Sequence, residues 1–168
     1  QNVLDAHCRW VESDGSKGKQ ANLARFDMRG ANLFGINLRS ANLSRASLAN
    51  ADLSDCDLEN ADLENADLKG ASLAWANIRH ANLRGACLIE ADLRWADLRQ
   101  ANLSEADFRG ANLAGADIRD AILMGADPVL HLSQIFELAM RGELDRIFFS
   151  GAQIDKYGNL NNTLIGSM

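Results

Sequence analysis

The chain has 168 residues and a formal net charge of −6 from 17 basic and 23 acidic side chains; it can bury one core, and it lacks the basic excess that binding a phosphate backbone needs, so no direct nucleic-acid contact is expected. Cys8, Cys56 and Cys87 show no Cys-x-x-Cys spacing and cannot all pair, which argues against a disulfide framework and for a reducing compartment. No apolar run approaches the ~20 residues of a membrane span and no basic-then-apolar leader opens the chain, so the expected location is cytoplasmic, with the start at Gln1 instead of methionine leaving room for a processed leader or an upstream domain.

The first predicted element is a short amphipathic helix over residues 2–12. It places Val3, Leu4, His7, Trp10 and Val11 on one face. A polar stretch, Ser13–Gln20, with Gly15 and Gly18, completes an N-terminal cap and linker over residues 1–20.

From Leu23 to Leu123 every fifth residue is large and apolar: seventeen Leu, two Ile, one Met and one Phe, 21 in all. Two residues before each stands a small or apolar residue, alanine except at Phe26, Ile36 and Cys56. Asn or Asp lies between the two, except at Ser47, Ser72, Cys87 and Ile122. A period of five matches neither the 3.6 of a helix nor the 2.0 of a strand. Asn and Asp at every repeat disfavour helix, because their side chains compete for the backbone. They suit a chain that bends every five residues, with Asx hydrogen bonds holding the bend. Glycine at the last position of several repeats (30, 35, 70, 85, 110, 115, 125) fits the same geometry.

This pattern, Ala-(Asp/Asn)-Leu-x-x over 105 residues, resembles the pentapeptide-repeat family. The resemblance implies an all-β solenoid, a right-handed quadrilateral β-helix of four repeats per coil. The 21 repeats then make about five coils over residues 21–127, stacked at ~4.8 Å. The central Leu and the preceding Ala are expected to face inward, and the other three positions outward.

The repeat stops at Ala126-Asp127-Pro128, where proline would break the ladder but suits the first turn of a helix with Asp127 as N-cap. Residues 128–141 carry Leu132, Ile135, Phe136, Ala139 and Met140 at helical spacing, and Gly142 is a stop. A second segment, 143–149, ends in Ile147-Phe148-Phe149. Residues 128–168 are therefore expected to form a helical cap or a dimerisation tail, with Leu132, Ile135, Phe136, Phe148 and Phe149 as contacts. Beyond Gly151 the sequence returns to a loosely repeat-like texture without a firm register.

No catalytic constellation, metal-ligand spacing or phosphate loop is found, so a non-enzyme without cofactor is expected. His7 and His131 fall in the caps and His80 faces outward. Cys56 reads as a small core hydrophobe, and Cys87 as an outward residue with no activating neighbour. Function then belongs to the outward columns. Trp75 and Trp95 fall one coil apart and should stack on the surface, either as an interface hot spot or as rings that shield a corner and pack on flanking residues. Arg39, Arg79, Arg99 and Arg119 share a column that Glu59 interrupts. Each follows an Asn or Asp by two residues, which makes the column either a neutralised stripe or a docking strip for an acidic partner. Asp52, Asp55, Asp57, Glu59, Asp62, Glu64 and Asp67 form an acidic belt with no basic residue among them in sequence.

The leading functional expectation is a non-catalytic protein-interaction or scaffold module, a rigid rod that binds another protein; a tail that closes the rod predicts a monomer, and a tail shared between two copies predicts a homodimer. The alternative, which the resemblance implies, is a DNA-mimicking protein that binds DNA gyrase, as in the quinolone-resistance group. Against it stand the absence of an inserted loop and a mixed outward charge, 11 basic and 15 acidic side chains in residues 21–125.

Overall fold

The computed structural model describes residues 3–123 and the backbone of residues 146–149, 152–155 and 160–161. Helix α1 spans Val3–Glu12, with Asp5 in its first turn and Arg9 in its last, each favourably placed against the helix dipole. Behind it Gly15 and Gly18 take left-handed φ of 82° and 78° and turn the chain back along the helix. Gly18 has no substitute: a Cβ there would lie 2.2 Å from the Ala6 carbonyl oxygen. The Lys19 N–H then donates to that carbonyl at 3.0 Å, and the Ala21 N–H donates to His7 Nδ1 at 3.1 Å. His7 is fully buried and Leu4 packs on the repeat core, whereas Val3, expected on the same face, is exposed.

From residue 22 to residue 102 the central Asn, Asp or substitute of each repeat forms a parallel bridge with the residue 20 positions later, as in Asn22↔Asn42, Asp27↔Ser47, Asn32↔Asp52 and Asn37↔Asp57. Four repeats therefore close one coil, and each side carries one bridge. The hydrogen bonds are regular: the Leu23 N–H donates to Asn42 O at 2.7 Å, and the Asn42 N–H returns to Ala21 O at 2.9 Å. Because the backbone of each coil is satisfied by its neighbours, a single coil has no stability of its own.

Each corner is a β-turn. The carbonyl of the central apolar residue accepts the N–H three residues on, as from Phe26 to Leu23 at 3.1 Å. The fifth position of every repeat from Arg25 to Asp120 has positive φ, the glycines at 64–77° and the others at 55–63°. Glycine marks only some of these corners, and elsewhere Arg, Ser, Asn, Asp, Glu, Gln, His or Trp adopts a conformation that usually costs an L-residue about 1–2 kcal/mol. The compensation is visible. Every Asn or Asp at the bridge position, from Asn22 to Asp117, accepts on Oδ1 the N–H two residues later, for example Asp52 from Ser54 at 3.0 Å. Such Asx turns supply the partner that the bent backbone would otherwise lack.

Inside, four leucine-rich columns rise with alanines in the corners, and Leu38 through Leu103 are completely buried. Cys56 fills one alanine site, and its thiol donates to Leu33 O at 2.9 Å; burial pushes its pKa up to about 11. One inward assignment needs correction. Phe26 is 51% exposed, although it occupies the column that Ala46, Ala66, Ala86 and Ala106 fill with buried side chains. A corner sized for a methyl group cannot take a phenyl ring, and no earlier coil stands before Phe26 to cover it.

The expected C-terminal helix, including Leu132, Ile135 and Phe136, lies outside the described residues. Farther on, three antiparallel strands, β1 (Arg146–Phe149), β2 (Ala152–Asp155) and β3 (Leu160–Asn161), form one sheet in the order β1-β2-β3. Phe149 pairs with Ala152 and Ile154 with Leu160. At residues 146–149, 152–155 and 160–161 strands stand where a helical cap or dimerisation tail is expected, and their antiparallel pairing is not that of another coil. The β-branched and aromatic run Ile147-Phe148-Phe149, separated from Ala152 by two residues, suits a hairpin strand.

The His7 contact predicts a pH dependence. Burial holds the folded imidazole below its ordinary value of 6.5. Its Nδ1 is committed as an acceptor and its Nε2 is buried without a partner among the described residues. The released helix takes up the proton first, so docking of α1 is at full strength above pH ~6.5 and weakens as the pH falls below it. Trp10 stacks on His7 at 5.8 Å and reports the change. In a Trp75→Phe/Trp95→Phe background its fluorescence should change between pH 7.5 and pH 5; a flat response would contradict the buried neutral imidazole.

Candidate interaction surface

The coil period converts sequence spacing into surface columns, and the fifth-position column of one corner reads Gly35, Asp55, Trp75, Trp95, Gly115. Trp75 and Trp95 stack with ring centroids 5.4 Å apart and planes 13° apart. They remain 61% and 54% exposed, although their backbone sits at φ of 63° and 60°. Side chains in these columns lean toward the following coil: the Asn50 and Asn65 amides lie over Gly70 and Gly85, and the Trp95 indole lies over Gly115. A Cβ on Gly115 would come within 2.3 Å of Trp95 Cε3. Glycine at position 115 is thus what lets the pair lie flat, a dependence that residue spacing alone did not reveal. Gly115→Ala should tilt Trp95 and reduce the indole–indole exciton couplet in circular dichroism by more than half, and the left-handed φ of 77° at this position should lower the melting temperature by several degrees without unfolding the rod at 25 °C. An unaltered couplet would contradict the packing.

The arginine column is mostly neutralised. Arg99 and Arg119 fork onto Asp97 and Asp117 through Nε and Nη2. Arg39 reaches across a coil boundary to Glu59 at 3.1 Å and Asp57 at 3.7 Å. Arg29, Arg94 and Arg109 repeat the fork on Asp27, Asp92 and Asp107. The Arg29 fork holds exposed Asp27 down to about 2. For Asp97 burial pushes upward, but the Arg99 bonds and charge prevail and its pKa falls. Among the described residues Arg79 alone in the column has no ion pair.

The acidic belt is also less bare than its sequence, because Arg39 reaches Asp57 and Glu59, and Arg84 bridges Glu64 at 3.5 Å and Glu105 at 2.9 Å. Stacking brings cations that lie about one coil away in sequence onto the belt. Asp62 accepts the Asn82 amide at 3.1 Å and Asp52 the Ser54 N–H. Asp55, next to Trp75 in its column, remains exposed. Phe148 and Phe149 lie in β1, away from the repeats in sequence, and His131 is outside the described residues. Among the described residues no helix is long and apolar enough to cross a membrane.

A parallel ladder with one bridge per side and twenty residues per coil defines a four-sided β-solenoid of five-residue repeats. The model for pentapeptide repeats matches in 8 copies, over residues 19–55, 46–85, 56–94 and 91–127, and the chain belongs to that family. The family's fold is the right-handed quadrilateral β-helix. Among solved structures the chain is similar to HetL, a pentapeptide-repeat protein involved in heterocyst differentiation regulation in the cyanobacterium Nostoc sp. strain PCC 7120. Identity is 38% over 64% of this chain and 60% of that one, with a TM-score of 0.53. Rfr23 from Cyanothece 51142 is 38% identical over 65% of this chain and 68% of that one, with a TM-score of 0.35. A protein of the Arabidopsis thaliana thylakoid lumen is 29% identical over 79% and 86%, with a TM-score of 0.40. The chain thus spans less than two thirds of the HetL chain. No curated protein matches it.

Proposed function

We propose that the protein is a non-catalytic interaction scaffold whose rigid rod presents the Trp75–Trp95 pair as the centre of a contact with another protein. The observation that carries this reading is the pair itself. Two large aromatic rings are left more than half exposed, on a core already complete without them. Stacked indoles concentrate apolar area with few rotors to freeze, which is the composition of an interface hot spot. The ladder beneath holds them in place before any partner arrives, so little ordering cost attends binding.

The charge pairing favours a scaffold over a DNA mimic. A duplex-like surface needs rows of unneutralised acid, whereas here Asp27, Asp92, Asp97, Asp107 and Asp117 each hold an arginine fork. The thiols of Cys8, Cys56 and Cys87 are free, which suits a reducing, cytoplasmic setting. The apolar segment at 128–149 belongs to the same proposal as the element that caps the rod or joins two copies, and the mass of the full chain in solution distinguishes these roles.

A photo-crosslinking amino acid at Ala74, beside the pair, tests the reading in cells that naturally produce the protein. One discrete crosslinked partner, lost in Trp75→Ala/Trp95→Ala, is the expected result. Crosslinks that are absent, or unchanged in the double variant, would overturn it.

A further inference from the structure

Eight arginines directly follow a central apolar residue of the repeat, at positions 29, 39, 79, 84, 94, 99, 109 and 119. Among the described residues, all except Arg79 make an ion pair. The exception has a structural origin. The bridge residue before Arg79 is Asn77, an amide whose Nδ2 donates to Asp57 Oδ1 at 3.0 Å. One coil earlier Glu59 is taken by Arg39, and one coil later Asp97 is taken by Arg99. Among the described residues, the carboxylates one coil away on this side, Asp57, Glu59 and Asp97, are all engaged, and Arg79 Nε is buried without an acceptor. A guanidinium is charged at all accessible pH values and carries five donors in a fixed fork. A half-buried one with no acid beside it lacks the partner that buried donors normally have.

Arg79 stands on the same side of the same coil as Trp75, four residues away, at the opposite corner. Along an extended side that separation is roughly 10–13 Å. The side thus presents an exposed apolar pair at one corner and an unneutralised fork at the other. Resting on the scaffold reading above, we infer that this side takes a short protein segment carrying a carboxylate about three residues from a large apolar side chain. The carboxylate is bound by Arg79, and the apolar side chain covers the Trp75–Trp95 pair. A carboxylate matches the planar fork of arginine. The net charge of −6 restricts the partner to a short segment, since a broadly acidic surface is repelled at longer range. The same charge disfavours a nucleic-acid strand, which also offers anions beside flat rings but brings one at every nucleotide.

The test is a display selection of random dodecapeptides on the intact chain, followed by calorimetry on the enriched sequences. Enriched peptides should carry Asp or Glu about three residues from Trp, Phe or Leu. Affinity should fall about tenfold or more, the scale of one lost charge-assisted contact, in Arg79→Gln and again in Trp75→Ala/Trp95→Ala. Arg119→Gln, whose arginine already holds Asp117, should bind as the parent does. The inference is overturned by no enrichment, by basic sequences, by affinity indifferent to Arg79→Gln, or by tighter binding of oligothymidylate than of any peptide. If a crosslink from position 74 persists under any of these outcomes, the scaffold reading stands and only the assignment of the partner's chemistry falls.

Discussion

Leu73→Asp should unfold the middle of the rod. Leu73 is completely shielded from solvent between Leu53 and Leu93 of the adjacent coils. A carboxylate there finds no donor, because the backbone groups around it are spent on the ladder. Such a charge costs roughly 5 kcal/mol or more, against a total stability on the order of 5–15 kcal/mol for a domain. Since each coil is held by its neighbours, the damage spreads to the coils on either side. The β-type circular dichroism should be lost or strongly reduced and the protein should aggregate. Leu73→Ile, which keeps volume and polarity, should cost less than about 1.5 kcal/mol. A parent-like melt for Leu73→Asp would contradict the inward column.

Deleting residues 81–85 should leave the fold standing and destroy the surface. The deletion removes one complete repeat, so each remaining repeat still presents an alanine, a bridge residue and an apolar residue to the ladder. What changes is the register outside. Trp95 moves from one coil to three-quarters of a coil beyond Trp75, and the two indoles fall on different corners. The exciton couplet should vanish while the far-UV signal persists, and the crosslink from position 74 should be lost with it. Deleting 46–50, before both tryptophans, keeps their spacing and should preserve the couplet. Two deletions with the same optical outcome would mean that the column model of the surface is wrong.

These two experiments separate what was readable in the chain from what was not. The core was readable because one side-chain class recurs at each inward site: Leu23 to Leu123 at one spacing and alanine two residues earlier. The Trp75–Trp95 stack followed from the same arithmetic. Departures occur where that arithmetic loses its neighbours. Phe26 sits on the first coil with nothing before it, and β1 to β3 follow the point at which Pro128 ends the period. Ion pairing was only half legible. A fork such as Arg99 onto Asp97 is local and could be anticipated, but Arg39 to Glu59 and Arg84 to Glu105 are set by rotamers across coils. The isolation of Arg79 combines local features, Asn77 in place of an aspartate and the Arg99–Asp97 fork, with the cross-coil pairing of Arg39 to Glu59, which the sequence does not reveal. The dependence of Trp95 on Gly115 was hidden for a similar reason, because a glycine at a left-handed corner already has a sufficient backbone explanation.

The surface columns exist only if the coil closes after 20 residues, and native Cys87 offers a direct chemical measure of that period. Asp67 is bridged to Cys87, and adjacent parallel strands lie ~4.8 Å apart, within the reach of a disulfide. Asp67→Cys, oxidised in dilute solution and digested without reduction, should yield a peptide pair joining position 67 to Cys87 in near-stoichiometric amount. Asp62→Cys, one side earlier around the coil, should yield none. A link from position 62, or no intramolecular link from position 67, would contradict the four-sided coil and the surface built on it.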